Sequence, residues 1–447
     1  MLRRRVHRAV ELARAGHLRR ATQALERPPL PELTAARIKH LLSLHPSRTH
    51  DIHPPLNLST RTFPVIEAPA LLKLIRACDD GTAPGPSNLS AAHLLAMASD
   101  EDCLAGLCAI VQDIISGTLP PAAADIITSA VSVATHKGVD QVRPLAVPEI
   151  LYKLAGLVCL ESIAHIMPDL FPKIQLGCGV KNGVEIAVHR TQLALEAGGQ
   201  DTVVLRLDFR NAFNERKRHV IARGLFDAPL TSPIWRFFMM AYGGVGTHMG
   251  VYQRGQLIMR FLNREGVKQG CPIASFLYAL SVQHLYEQCV EGIDDLQAYA
   301  VADDLTLIGP AVSVVRALRR LIRLCHEDGP TLNLSKCEAL WARSTDHPGF
   351  QLFADVMRHL DITIKHDTVN MLGSTIGLGM TRAVHCKAAV KEHKHFFDAI
   401  LHTDMPAQIG LLLLRLSGVP RLTYLTRVTP PIITGIPFCI NDRTVEM

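Results

Sequence analysis

Three acidic residues are the first chemistry the sequence offers. Asp303 and Asp304 stand side by side in AYAVADDLTLIG, between two apolar runs that read as strands, so the pair is expected at or beside a hairpin turn. Aspartate is a routine turn residue, and alone the doublet reads most simply as turn chemistry. Two adjacent carboxylates on a mostly buried hairpin repel each other, however, and a bound cation is the usual remedy. Asp208 ends the apolar, β-branched run TVVLRLDF, 95 residues before the doublet. Brought beside them by strand pairing, it would complete an oxygen-rich site for hard divalent ions. Two such ions about 3.5–4 Å apart support in-line displacement at phosphorus. The spacing permits this convergence.

A chain of 447 residues is too long for one compact core and suits two or three lobes sharing a cleft. Hydrophobic residues at 48% and charged residues at 20% exclude a disordered chain. The net charge of +6 leans only slightly towards a polyanionic partner. The 11 cysteines show no zinc spacing; Cys103 and Cys108 fall in an apolar helical stretch, and free thiols in a reducing, intracellular compartment are expected. The apolar run Ile409–Leu416 is short and broken by an arginine, so a buried helix is expected and no membrane partner. MLRRRVHRAV lacks the apolar core of a secretory signal; an arginine-rich organellar presequence stays open, with Glu11 against it.

The elements that must carry the acids follow from periodicity. The first fifty residues read as short helices, with Leu18, Ala21 and Leu25 on one face, Arg19 and Arg20 wet, and a break at Pro28, Pro29 and Pro31. Helical patterns alternate with Gly- and Pro-rich turns from Pro64 to Ala197, and the loop from Gly81 ends in an N-cap before AAHLLAMA. From Asp201, strands and helices alternate, with IASFLYALSVQHLYEQ as a helix. Helices are expected around Ala388–Ile400 and Ile409–Leu416, and an extended tail from Val428.

Eight words occur in order: GTAPGPSNLSAAHLL, QVRPLAVPEILYKLAG, QLGCGVKNGVEIAVH, LRLDFRNAFNE, GVKQGCPIASFLYAL, AVADDLTLIG, LNLSKCEAL and MLGSTIG. From Gly81 to Gly379 the chain thereby resembles the reverse transcriptases of non-long-terminal-repeat retrotransposons. The resemblance implies an α+β right hand: a helical N-terminal extension over 1–60, fingers over 61–200, and a palm over 201–380 built as an antiparallel sheet backed by helices. A partial helical thumb and tail fill 381–447. It implies Asp208, Asp303 and Asp304 as metal-binding acids for two Mg²⁺, with Mn²⁺ as a substitute, and Lys336 as a proton donor near pyrophosphate.

Lys137 and Arg143 match the basic pair used on the triphosphate, and Arg210 with Asn211 a polar pair near the phosphates; solvated surface charge is the bland reading of both cations. Phe213 matches the ring beneath the incoming sugar that excludes a 2′-hydroxyl, although a core role is the commoner fate of any phenylalanine. Gln269 and Gly270 match the turn against the nascent base pair, and Leu372 with Gly373 the hairpin that grips the primer. RNA template, DNA or RNA primer and dNTPs are the implied partners, with a separate endonuclease, because no endonuclease or zinc-finger region is visible. The nucleus is the implied place of work.

Departures from the family pattern fall at Val301 and Ala302 before the doublet, where an aromatic is usual, and at Cys271, Ala274 and Ser275, where an acid and a proline are frequent. They leave the acids intact and favour one rival, a catalytically impaired, nucleic-acid-binding remnant. A second rival, an RNA-dependent RNA polymerase, would not tolerate a bulky Phe213.

Overall fold

The computed structural model describes residues 2–26, 30–78, 82–379 and 381–429. Gly81, Pro28, Pro29 and the tail from residue 430, on which expectations were placed, lie outside these. The described strands are β1 Ala130–His136, β2 Val142–Pro148, β3 Thr202–Leu207, β4 Thr247–Gln253, β5 Gln256–Asn263, β6 Gln297–Val301, β7 Asp304–Pro310, β8 Glu338–Leu340, β9 Thr363–Lys365, β10 Thr368–Met371 and β11 Ser374–Gly377.

A five-stranded sheet in the order β6-β7-β3-β8-β9 forms the centre. Its pairings are antiparallel except for the parallel edge pair β8 and β9. Alternation along β3 splits the side chains between two layers, as period-2 geometry requires. Val203, Leu205 and Leu207 join the helices Ala274–Val290 and Ala311–Asp328 in one core. Val204, with Ile308 across from it, packs on the opposite face against the helix Gly183–Ala197 and the β10–β11 hairpin. The sheet is therefore buried on both faces, which explains why TVVLRL reads as a continuous apolar run rather than an alternating one.

A second sheet, in the order β2-β1-β4-β5, mixes strands from both sides of residue 200. The hairpin β4–β5 lies beside β1 in parallel register, so this lobe is not helical alone. Its helices, including Glu101–Ser116 and Ile150–Ser162, bury a large apolar core with Trp235, Phe237 and Phe276. Ser90 caps the helix Ala91–Met97 with a reciprocal bond to His93, as the sequence pattern indicates.

The N-terminal helices Leu2–Arg14 and Leu18–Glu26 separate at Gly16, whose φ of +83° suits glycine. They do not stand apart. Val6, Ala9, Ala21 and Leu25 share a core with Phe396, Ala399 and Leu413 of the C-terminal helices, and Arg3 pairs with Asp404 at 2.8 Å. Among the described residues no single helix is long and apolar enough to cross a membrane.

Candidate active site

The register of β3 with β7 decides whether the three acids meet. Leu207 lies opposite Leu305 as the last pair of the ladder, and Asp208 and Asp304 are the residues that follow this pair at its open end. Asp303 occupies the two-residue turn between β6 and β7 together with Ala302, whose φ of +56° is left-handed. The doublet is thus the hairpin tip, and Asp208 is its neighbour across the sheet.

Electrostatics confirm the crowding. Burial, then Asp304, then Asp208 push the Asp303 carboxyl up to about 6, with the Arg143 guanidinium opposing. Burial and Asp208 also raise Asp304, against the pull of Arg206. Oxygen-only donors that repel one another suit a hard divalent cation. Among the described residues, however, no three Asp, Glu, His or Cys side chains close around a single metal-sized point. The acids share one field and one sheet end, and side-chain rotation would be needed to turn them into a ligand cage.

Two residues that sequence spacing does not single out hold this arrangement. Asn333 donates from Nδ2 to the Asp208 carboxylate at 3.0 Å, and its backbone N–H donates to the Asp208 carbonyl at 2.8 Å. Gln175, with no solvent exposure, grips the turn before the doublet: the Ala302 N–H donates to its Oε1 at 2.8 Å, and its Nε2 donates to the Ala302 carbonyl at 3.2 Å. The same oxygen accepts from the Gly177 N–H at 3.0 Å. A Cβ on Gly177 would fall 2.9 Å from the Ala302 nitrogen, so the QLG segment lies flush against the hairpin. The only signal for Gln175 is its place in the ordered word QLGCGV, where an amide beside a glycine looks unremarkable.

The cations come from a different lobe. Lys137 and Arg143 flank the β1–β2 turn, with the Lys137 N–H bonded to the Gln141 carbonyl at 3.2 Å. Burial, then Lys336, then Arg143 lower the Lys137 ammonium, while Asp208 opposes them. Lys137 thus lies within electrostatic reach of Lys336, Arg143 and Asp208. Arg210 and Asn211 are engaged elsewhere: Arg210 pairs with Glu215 at 3.2 Å, and Asn211 donates to the Leu44 carbonyl at 2.8 Å.

Phe213 lies between the acids' strand and the helix Ala274–Val290, stacked on Tyr278 with ring centroids 4.9 Å apart and 18° between planes. Its carbonyl accepts from the Val267 N–H at 2.8 Å, which ties the DFRNAF turn to GVKQG. The Gln269 carbonyl accepts from the Ala146 N–H at 2.7 Å. Gly270 has φ +127°, and a Cβ there would collide with the Ala146 carbonyl oxygen.

Residues 135–376, more than half of the chain, match the family described as reverse transcriptase (RNA-dependent DNA polymerase). The chain belongs to that family. The retrotransposable element SLACS 132 kDa protein of Trypanosoma brucei gambiense is 22% identical over 363 residues, covering 81% of this chain and 29% of that protein. The chain thus spans under a third of the length of the relative it matches. Members of that family work on a nucleic-acid template and primer with divalent metal, and the carboxylates at the β3 and β7 ends are oxygen donors of the kind such an ion takes.

In this member of the family the hairpin turn Leu372–Gly373 has φ values of +51° and +78°, a two-residue turn with both residues left-handed. It packs on the sheet face shared by Val204 and Ile308, the same parity as Asp208 and Asp304. Tyr424, from the helix Val419–Val428, donates to the Leu372 carbonyl at 2.6 Å and fixes the turn. Lys268 of GVKQG is fully buried: its Nζ donates to the Thr128 carbonyl at 2.9 Å and lies 4.3 Å from the Tyr152 ring centre. Burial lowers it to about 8, and it anchors the turn that presents Gln269.

Proposed function

We propose that this chain is the copying core of a retrotransposon reverse transcriptase, extending a DNA or RNA primer with dNTPs on an RNA template. The observation that supports this reading is the pairing of Leu207 with Leu305, immediately beyond which follow Asp208 on one strand and Asp304, with the turn residue Asp303, on the other. The relative's description as a retrotransposable element supports the source of the template. Two Mg²⁺ ions, or Mn²⁺ in their place, held by Asp208, Asp303 and Asp304 would supply the charge for activating the primer hydroxyl and offsetting the leaving pyrophosphate.

The chain's own groups do the rest. Lys137 and Arg143 receive the triphosphate from the β1–β2 turn, and Lys336 stands with them to protonate the pyrophosphate. The Phe213 ring, held flat by Tyr278, sits under the sugar and rejects a 2′-hydroxyl. Gln269 meets the nascent pair, with Gly270 letting its turn lie against β2. Leu372 and Gly373 hold the primer end. Arg210 would have to leave Glu215 before it could meet a phosphate. A separate endonuclease as partner and a nuclear place of work belong to the same proposal.

One observation favours a second reading, a nucleic-acid-binding remnant without catalysis: the acids do not close into a ligand cage. Primer extension separates the two. Wild-type chain should incorporate dNTPs only with divalent metal, and Asp303→Ala should lose incorporation. Metal-independent or absent incorporation by the wild type, with salt-sensitive RNA binding intact, would establish the remnant instead.

A further inference from the structure

Behind the sheet, the helix Ala311–Asp328 and the helix Pro348–His359 enclose an open groove of about 480 Å³. Arg316, Arg319, Arg320 and Arg323 line one side of it, at the i, i+3, i+4, i+7 spacing that places four side chains on one helical stripe. Val314, Ala317, Leu318 and Leu321 of the same helix point the other way, into the core beneath β3 and β7. The groove therefore opens on the face opposite Asp208 and Asp304.

The charged residues lining it are all of one sign. Among the described residues no carboxylate lines the groove. Arg320 donates to the carbonyls of Gln288 and Glu291 at 3.1 and 2.6 Å, which braces the stripe against the preceding helix. Among the described residues Arg316, Arg319 and Arg323 form no ion pair, and all three are exposed. Three guanidiniums held over about 10 Å of helix, with no acid among them, cost the fold self-repulsion that an anionic ligand would remove.

The walls narrow the choice of ligand. Val312 is 66% exposed and Leu352 65% exposed, and both face the groove beside the arginines. A duplex offers its outer surface as phosphate and sugar, which leaves those side chains unmatched. An unpaired strand offers phosphates to guanidiniums and base faces to apolar side chains at the same time. We propose that this groove is a second nucleic-acid site, holding an unpaired strand by its phosphates on the face of the sheet away from the catalytic carboxylates.

The test uses the full chain preloaded with saturating unlabelled primer–template, so that the catalytic cleft is filled. Binding of a fluorescein-labelled oligouridylate 12-mer is then followed by anisotropy between 50 and 200 mM salt. Three phosphate contacts at about 0.7 each give a salt slope near 2, so wild type should lose roughly 20-fold more affinity over this range than Arg316→Ala/Arg319→Ala/Arg323→Ala. The triple lysine variant should keep the slope, because the positive charges remain. All three proteins should share one unfolding midpoint and one rate of primer extension on a short primer–template.

Unchanged affinity and slope in the alanine variant would overturn the proposal, as would failure of the preloaded wild type to bind the 12-mer. Tighter binding of a glutamate-rich peptide than of the 12-mer, lost in the alanine variant, would also overturn it and make the groove a protein-docking site. Loss of primer extension in the wild type would count against the proposed function alone.

Discussion

Replacing Asp303 with asparagine should make the metal-free protein more stable while removing its activity. The carboxyl rises from 3.8 to about 6 because it is buried and faces Asp304 and Asp208. A folded-state value above the unfolded one means that the native state holds the proton more tightly, so ionisation destabilises the fold. That penalty is absent well below pH 4, grows between 4 and 6, and is complete above 6. A shift of roughly 2 units corresponds to about 3 kcal/mol at pH 7.5, a ceiling that relaxation of the hairpin would reduce.

Asparagine keeps the shape and removes the charge. In EDTA at pH 7.5, urea unfolding should show Asp303→Asn more stable by about 1–3 kcal/mol, and at pH 5 the gain should fall to about half. Mg²⁺ should raise the wild-type midpoint and leave the variant's nearly unmoved. A variant equal to or weaker than wild type at pH 7.5, or a gain that does not shrink with acid, would refute the idea that the three carboxylates crowd one another.

Gln175→Leu should preserve most of the core volume but strand the Ala302 backbone groups, lowering kcat by roughly 10- to 100-fold with little change in KM for dNTP, whereas Gln175→Glu should retain part of the grip through its Oε1. Steady-state kinetics at saturating primer–template would check this. Gly270→Ala should cost about 2 kcal/mol or more, because the new methyl meets the Ala146 carbonyl at a positive φ; thermal melts against Gly255→Ala, where nothing lies within 4 Å, give the comparison. Phe213→Ala should admit ribonucleotides, read as a fall in the dNTP to NTP ratio of kcat/KM, together with lower stability from the lost Tyr278 stack.

Much of the centre is legible in the sequence because its signals are local. TVVLRL and LTLIG are apolar and β-branched, so β3 and β7 follow, and the turn at Ala302–Asp303 lies where the apolar runs break. The pairing of Leu207 with Leu305 is long-range and carries no local mark; the order of the sequence words points to it, and the register itself is set by the folded sheet. Gln175 and Asn333 escape notice because an amide becomes a clamp only when another segment's backbone arrives beside it. The helix Val419–Val428 is hidden by Pro420, a residue that ends helices in their interior and fits their first turn. The β4–β5 hairpin joins the first lobe through β1, and no periodicity in 247–263 indicates which strand it will meet.

The packing of the helices at 2–26 against those at 394–428 has a consequence for folding. Val6, Ala9 and Leu25 find their apolar partners in Phe396 and Leu413, some 390 residues later in the sequence, and Glu26 pairs with Arg421. Until they meet, both sets are exposed to solvent, and loop closure over such a span is slow. A protein made without residues 2–26 should carry the other half of that seam uncovered, and the helix bearing Tyr424, which steadies Leu372, would rest on a weakened support.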